Sequence, residues 1–361
     1  MSLDKYLSLV NNNSEELVHK ANEKRVKNYK NEITFSRNIF VPVTRQCRNK
    51  CDYCGFVSDD VSSWITPSKY FEFLQKAKKV ECSEVLLTLG EKPETKYSDA
   101  RDFLTRQGYS STVEYVKNFC EIALKKALLP HSNLGLLSFE ELSLLKDSNA
   151  SMGLMLENVS KRLMGKGHPH FNSPGKNPEK RLETIENAGK LKIPFTTGIL
   201  VGIGENMEER IESLLSIAKI SKQYSHIQEV IIQNFNPIPS TPMADRLPPS
   251  KKDFLDSVAL ARVILPKSVN IQVPPNLNSE RIIDALAHGA NDLGGISPVT
   301  IDFINPTMDW LKEENLKKIL EKNGYIFKER LPVYPSYKKY LSDRIRTLIE
   351  DTYTNEKYLS P

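Results

Sequence analysis

The stretch Ile39-Phe40-Val41-Pro42-Val43-Thr44-Arg45-Gln46-Cys47-Arg48-Asn49-Lys50-Cys51-Asp52-Tyr53-Cys54 decides how the chain is read. Its first five residues form an apolar run of strand type. Three cysteines follow on the loop beyond it, separated by three residues and then two. Downstream, Thr66-Pro67 has the form of a helix start, with Thr as N-cap and Pro at the first helical position. A loop leaving a strand end can wrap its backbone around an inorganic group. Three thiolates at this spacing suit one iron–sulfur cube, which four cysteines usually hold. Cys82 and Cys120 are distant and isolated, so one iron stays open to a small chelating molecule. Structural zinc instead wants four ligands in two close pairs, and only Cys51 and Cys54 make such a pair. A ferredoxin run needs a fourth cysteine and a different spacing.

The chain has 361 residues, which suits one α/β barrel with extensions. With 39% hydrophobic and 26% charged residues, the composition is that of a soluble globular protein. No apolar run approaches the ~18 residues that a membrane span needs. The start, Met1-Ser2-Leu3-Asp4-Lys5, lacks a signal peptide's apolar region, so a cytoplasmic location is expected. Five cysteines, three of them bunched, make no disulfide framework and imply a reducing compartment. Net charge is +5 with the signs interspersed, and no basic block points to nucleic acid.

Outward from the cysteine loop, strand and helix signals alternate. Strands are expected at Val85–Leu89, before His131, at Met152–Leu156, at Phe195–Val201 and at Val230–Ile232. Helices between them carry Tyr70, Leu74 and Ala77; Thr112–Leu124; a capping box at Ser138–Glu141; Leu182, Ile185 and Ala188; Ile211, Leu214, Leu215 and Ala218; and Phe254, Val258, Ala261 and Leu265. Six such units imply a parallel sheet covered by helices, with continuously apolar strands buried on both faces. Val269–Val273 and Ile296–Phe303 can add two strands and close an eight-stranded, TIM-like barrel. The expected organisation is an N-terminal helical extension (1–36), the barrel (37–310) and a C-terminal extension (311–361). The reactive site then lies at the C-terminal strand ends.

The cysteine spacing resembles the signature of the radical S-adenosylmethionine (SAM) enzymes. That resemblance implies a radical SAM (β/α) barrel and a [4Fe-4S] cluster on Cys47, Cys51 and Cys54. SAM would chelate the open iron and be cleaved to methionine and a 5′-deoxyadenosyl radical. Tyr53, just before the third cysteine, is implied to contact adenine. Thr88-Leu89-Gly90-Glu91 resembles the family's GGE motif, with Leu89 in place of the first glycine, and implies that Gly90 and Glu91 hold the SAM amino group. Glu157 is implied to accept the ribose hydroxyls. Gly198-Ile199-Leu200-Val201-Gly202-Ile203-Gly204-Glu205 is similar to the family's GxIxGxxE pattern, which implies Gly198, Leu200, Gly202 and Glu205 on the adenosine side. Without that context Gly202-Ile203-Gly204 suggests a dinucleotide fingerprint, but its third glycine and its ribose-binding acid are missing.

Further stretches resemble the CofG-type family of deazaflavin (FO) synthase subunits, from about Ser36 to Trp310. They include Pro130-His131-Ser132-Asn133-Leu134-Gly135, His168-Pro169-His170-Phe171, Ser173-Pro174-Gly175-Lys176, Gln233-Asn234-Phe235, Pro274-Pro275-Asn276-Leu277 and Gly294-Gly295-Ile296-Ser297. Leu293 stands where relatives are expected to have Trp. The resemblance implies a CofH-type partner subunit that joins a tyrosine-derived hydroxybenzyl group to a ribitylamino-uracil. Hydrogen abstraction from that adduct, ring closure, loss of ammonia and oxidation would give FO, the precursor of coenzyme F-420. A low-potential electron donor is also implied.

An adduct with a phenol, a uracil and a polyol needs many hydrogen-bond partners. His131, Asn133, Gln233, Asn234, Asn276 and Asp302 lie near expected strand ends, and His131 could be a base for cyclisation. For each alone, a satisfied structural hydrogen bond is an equal alternative. His168 and His170 lack a third ligand for a metal, and Asp309-Trp310 reads as an anchor for the C-terminal extension. Three other readings stay open. They are another biotin-synthase-like radical enzyme, such as the CofH-type subunit itself; an iron–sulfur electron carrier without a SAM pocket; and a zinc-stabilised binding module.

Overall fold

The computed structural model describes residues 2–354. Nine strands alternate with helices: β1 (Glu32–Pro42), β2 (Glu84–Thr88), β3 (Leu129–Asn133), β4 (Ser151–Gly153), β5 (Phe195–Val201), β6 (Ile227–Asn234), β7 (Asn270–Gln272), β8 (Asp292–Ile296) and β9 (Ile326–Arg330). All pair in parallel. β2 through β8 are neighbours in sequence order, and β1 pairs with both β8 and β2, closing an eight-stranded barrel. The barrel strands are largely buried on both faces, as β5 shows with every residue from Phe195 to Val201 covered, whereas the edge strand β9 begins exposed at Ile326. Helices pack outside and start on local capping signals. Thr66 accepts from the Lys69 N–H ahead of Pro67, and Ser138 with Glu141, and Asn206 with Glu209, form reciprocal capping boxes. Tyr70, Leu74 and Ala77 face the core from the helix Pro67–Lys79, at the helical spacing.

Several boundaries differ from the sequence reading, among them β4, which spans Ser151–Gly153 and not Met152–Leu156. β1 begins at Glu32, inside the expected N-terminal extension of two helices (Leu3–Asn12 and Ser14–Tyr29). Its first half alternates buried Ile33 and Phe35 with polar Glu32, Thr34 and Ser36, which hides a strand in a polar segment. The eighth strand is Asp292–Ile296 rather than Ile296–Phe303, because paired glycines give it little apolar signature. The C-terminal extension also adds a strand to the sheet. β9 pairs with the first half of β1, from Glu32↔Ile326 to Ser36↔Arg330, while β2 pairs further along at Asn38–Pro42. Leu331, Val333, Tyr334, Tyr337, Ile345 and Ile349 then build a second apolar cluster with Leu124, Leu129 and Ala150. The expected tail residues Tyr358–Pro361 lie outside the described residues. Among the described residues, no helix is long and apolar enough to cross a membrane.

Candidate active site

The cysteine loop leaves the C-terminal end of β1 and is pinned from below and beside. The Lys50 and Asp52 N–H groups donate to the Asn172 and Pro169 carbonyls, both at 3.0 Å. The Gly175 N–H donates to Asn49 Oδ1 at 2.7 Å. Main-chain N–H groups of Asn49 and Glu91 donate to the Cys47 sulfur at 3.4 and 3.2 Å. Burial raises the proton affinity of all three thiols, that of Cys54 to about 11, and each also feels its neighbours' charge. Such donors become thiolates only against strong positive charge such as bound iron. Among the described residues, no three His, Cys, Asp or Glu side chains converge as ligands of one metal ion would. Cys47, Cys51 and Cys54 instead stand around the mouth of one cavity of about 340 Å³. That arrangement fits ligands held apart by a multi-iron cube.

Beside the thiols lie the residues expected to meet SAM. At Gly90 a Cβ would fall 1.9 Å from the Gln46 carbonyl oxygen, so only glycine lets the loop after β2 pass the cysteine loop this closely. Glu91 is buried. One oxygen accepts from Arg48 at 2.8 and 2.5 Å and the other from the Leu136 N–H at 3.1 Å, so this carboxylate ties the cysteine loop to the loop after β3. Glu157 also lines the cavity, with φ of +64°, a conformation costly for a non-glycine residue. The Lys176 ammonium lies 2.6 Å from it. The Tyr53 hydroxyl shares a hydrogen bond of 3.0 Å with His170 Nε2. Burial, reinforced by the Lys176 and Arg181 charges, pushes His170 down to about 2, so it is a neutral partner. Tyr53 packs against a small apolar cluster of Leu163, Leu200, Ile203, Phe235 and Met243.

The GxIxGxxE-like residues divide. Leu200 lines the cavity, whereas Gly198, Gly202 and Glu205 stand behind its wall. A Cβ at Gly198 would meet the Ile231 carbonyl at 2.4 Å, so this glycine lets β5 lie close to β6. Gly202 has φ of +102°. The Glu205 carboxylate folds back to accept from the Gly202 and Ile203 N–H groups at 2.7 and 2.8 Å and from Arg210 at 2.7 Å. It therefore shapes the loop that carries Ile203.

The six polar residues expected to meet substrate all line the same cavity. His131 Nδ1 lies 2.6 Å from Ser151 Oγ, and burial with the nearby Arg330 charge pushes the ring down to about 4, so it is neutral near pH 7. Asn278 donates to Asn234 Oδ1, and Asn276 donates to Asp302, each at 2.9 Å. The Asn276 Oδ1 is buried without a partner. Asn133 and Gln233 sit at the ends of β3 and β6.

The sequence matches the radical SAM superfamily over residues 41–217. It is 48% identical over 309 residues to the 7,8-didemethyl-8-hydroxy-5-deazariboflavin synthase of Methanopyrus kandleri, covering 84% of this chain and 92% of that protein. With the synthase of Methanothermobacter thermautotrophicus it shares 45% identity over 324 residues, 89% of this chain and 98% of that one. The chain belongs to the radical SAM family of deazariboflavin synthases. Its fold is also that of two solved structures. The FeFe-hydrogenase maturase HydG from Carboxydothermus hydrogenoformans has a TM-score of 0.71 at 17% identity, covering 97% of this chain and 84% of that one. Methylornithine synthase (PylB) has a TM-score of 0.70 at 19% identity, covering 94% and 95%.

Membership of the radical SAM family implies a [4Fe-4S] cluster and SAM, and several residues of this synthase chain that bear on them had no signal in the sequence. Buried Arg181 brings a cation beside Glu157 and Glu91, next to half-buried Lys176 of the stretch already singled out in the sequence. Arg181 joins Leu182, Ile185 and Ala188 on the inner side of its helix. Trp310, expected as an anchor, lines the cavity with its indole N–H unpartnered. The deep end of the cavity is polar as well, with Asn38, Glu84, Glu229, Gln272 and Arg330 on its wall.

Proposed function

We propose that this chain converts the CofH-type subunit's product, 5-amino-5-(4-hydroxybenzyl)-6-(D-ribitylimino)-5,6-dihydrouracil, to 7,8-didemethyl-8-hydroxy-5-deazariboflavin with loss of ammonia. The observation that carries this reading is identity of 45–48% along nearly the whole length of synthases bearing that name. Cys47, Cys51 and Cys54 would hold the [4Fe-4S] cluster, with SAM on the remaining iron. When bound, these groups would supply a 5′-deoxyadenosyl radical to take one hydrogen atom from the adduct, and the oxidised cluster would accept the electron released as the second hydrogen leaves as a proton. The chain's own part is to hold and orient. Tyr53, Leu200 and Phe235, backed by Ile203, form an apolar wall suited to adenine. Gly90 opens main-chain acceptors to an ammonium, and Glu91 fixes the loop that presents them. Lys176 and Arg181 suit a carboxylate, and Glu157 suits ribose hydroxyls. With SAM and adduct filling it, the cavity would keep water from the radical and hold the target hydrogen within reach. His131, which lines the cavity with Nδ1 beside Ser151, would be a candidate to receive a proton as the ring closes, although burial makes it a weak base.

The CofH-type subunit would deliver the adduct, and a low-potential donor the starting electron. Anaerobic reconstitution with reductant, SAM and the adduct tests the reading. It expects 5′-deoxyadenosine, methionine and the fluorescence of the deazaflavin together. SAM cleavage driven by tyrosine instead of the adduct would assign the chain to the partner reaction.

A further inference from the structure

We infer that the Asn38 and Gln272 amides, with the Glu84 and Glu229 carboxyls, form a floor site that recognises the hydroxylated chain of the substrate. This rests on the reading of the substrate given above. Barrels of this kind ordinarily fill their interior with layers of branched apolar side chains. Here β1, β2, β6 and β7 send Asn38, Glu84, Glu229 and Gln272 into the cavity that opens at the cysteines. Asn38 is 1% exposed, and its Oδ1 has no hydrogen-bonding partner. A buried acceptor left open in this way is unusual and points to a donor on a ligand.

The floor is built to hold these amides. Gly294 and Gly295 of β8 lie directly against them. A Cβ on Gly294 would fall 1.9 Å from the Gln272 amide, and one on Gly295 would fall 2.1 Å from Asn38 Nδ2. The Gln272 amide in turn lies 3.2 Å from both Glu229 oxygens, and Glu84 accepts from the Ser36 hydroxyl. The paired glycines thus have a role that turn formation does not give them: they leave room for two amides to face the cavity.

Charge narrows the ligand. Arg330 is matched by Asp292 and also reaches Glu229. Burial pushes the Glu229 carboxyl up to about 8, so it is largely protonated near neutral pH, and burial raises that of Glu84 in the same direction. A floor of two amides and two carboxyls whose charged form burial disfavours offers both donors and acceptors. That suits hydroxyl groups and disfavours phosphates or ammonium ions. Position agrees. Glu84 opens β2 and Glu229 is near the start of β6, whereas the cysteines follow the far end of β1. The floor therefore meets the part of the substrate remote from the radical, where binding contacts can serve orientation.

The test compares the ribityl adduct with an analogue carrying a pentyl chain in place of the ribityl group. Wild type is expected to favour the ribityl adduct by at least about tenfold in kcat/KM, the scale of one or two buried hydrogen bonds. Asn38→Leu and Gln272→Met are expected to bring that ratio towards one, by weakening the ribityl adduct and not the pentyl one. A wild type that handles both substrates alike overturns the floor site, even if both variants fail to fold. Folded variants that keep the full ratio overturn it too. If wild type cleaves SAM but converts no ribityl adduct, the functional reading fails instead.

Discussion

Arg330 of β9 grips Asp292 of β8 through two hydrogen bonds, Nε to Oδ2 at 2.7 Å and Nη2 to Oδ1 at 2.8 Å. The same Nη2 reaches Glu229 Oε1 at 2.6 Å, and the Tyr334 hydroxyl donates to that oxygen at 3.0 Å. Against the upward push of burial, Arg330 holds the Asp292 carboxyl below its usual range. The C-terminal strand is thus locked to the barrel by a fully covered ion pair. Breaking one side of such a pair strands the other charge. Arg330→Met is expected to cost ~3–5 kcal/mol of unfolding free energy. Adding Asp292→Asn should recover part of that loss. Urea denaturation of the two variants checks this, and a double variant no more stable than the single one would refute it.

His226 makes stability depend on acid. It is fully buried, with Nε2 2.9 Å from the Ile185 carbonyl oxygen. Burial pushes its proton affinity down from 6.5 to about 3. The unfolded chain therefore binds this proton first as pH falls. The contribution to stability is complete above 6.5 and is lost progressively as pH drops towards 3. Between pH 7 and pH 5 the loss is about 2 kcal/mol. His226→Gln, a residue without that titration, should lose correspondingly less stability over the same interval. Equal slopes for the two proteins would exclude His226 as a source of acid sensitivity.

The three expected ligands and the two isolated cysteines should behave as separate classes. Alanine at Cys47, Cys51 or Cys54 should each abolish retention of iron and sulfide after anaerobic reconstitution, because each removes one corner of a three-point mount. Cys120 is buried elsewhere, its sulfur 3.4 Å from Ser132 Oγ and 3.6 Å from Asn149 Oδ1. Cys120→Ala should keep full iron and sulfide content and cost only ~1 kcal/mol in stability. Iron and sulfide assays alongside thermal melts separate the outcomes.

What could be read in advance follows from how local each signal is. The run Ile39–Val43, the thiol spacing and the caps at Thr66 and Ser138 are statements about neighbouring residues, and the barrel's order follows from repeating them. Arg330 and Arg181 were silent for the opposite reason. A buried arginine looks like any surface arginine until closure of the sheet brings Asp292 or Glu157 to it. β8 was displaced because Gly294 and Gly295 carry no apolar pattern; their reason lies across the barrel, on Gln272 and Asn38. Glu205 was read as facing the cofactor side, and only the fold turns its carboxylate back on its own loop.

That turn makes Glu205 a positioning residue whose loss should be felt by one substrate more than the other. Its carboxylate accepts from the Gly202 and Ile203 N–H groups and from Arg210, all at 2.8 Å or less. Glu205 is buried, so without it two N–H groups and a largely covered guanidinium lose their acceptor together. Hydrogen bonds to a charged group contribute about 1.5–3 kcal/mol each, and part of that loss would loosen the loop holding Ile203 against Tyr53's side of the cavity. Glu205→Ala is expected to raise the KM for SAM by about tenfold or more while shifting the KM for the adduct only a few-fold. Glu205→Asp, which keeps the charge but shortens the reach, should fall between wild type and alanine. Steady-state assays varying each substrate in turn decide it. An equal rise in both constants would show a general loss of fold instead of a role in setting this loop.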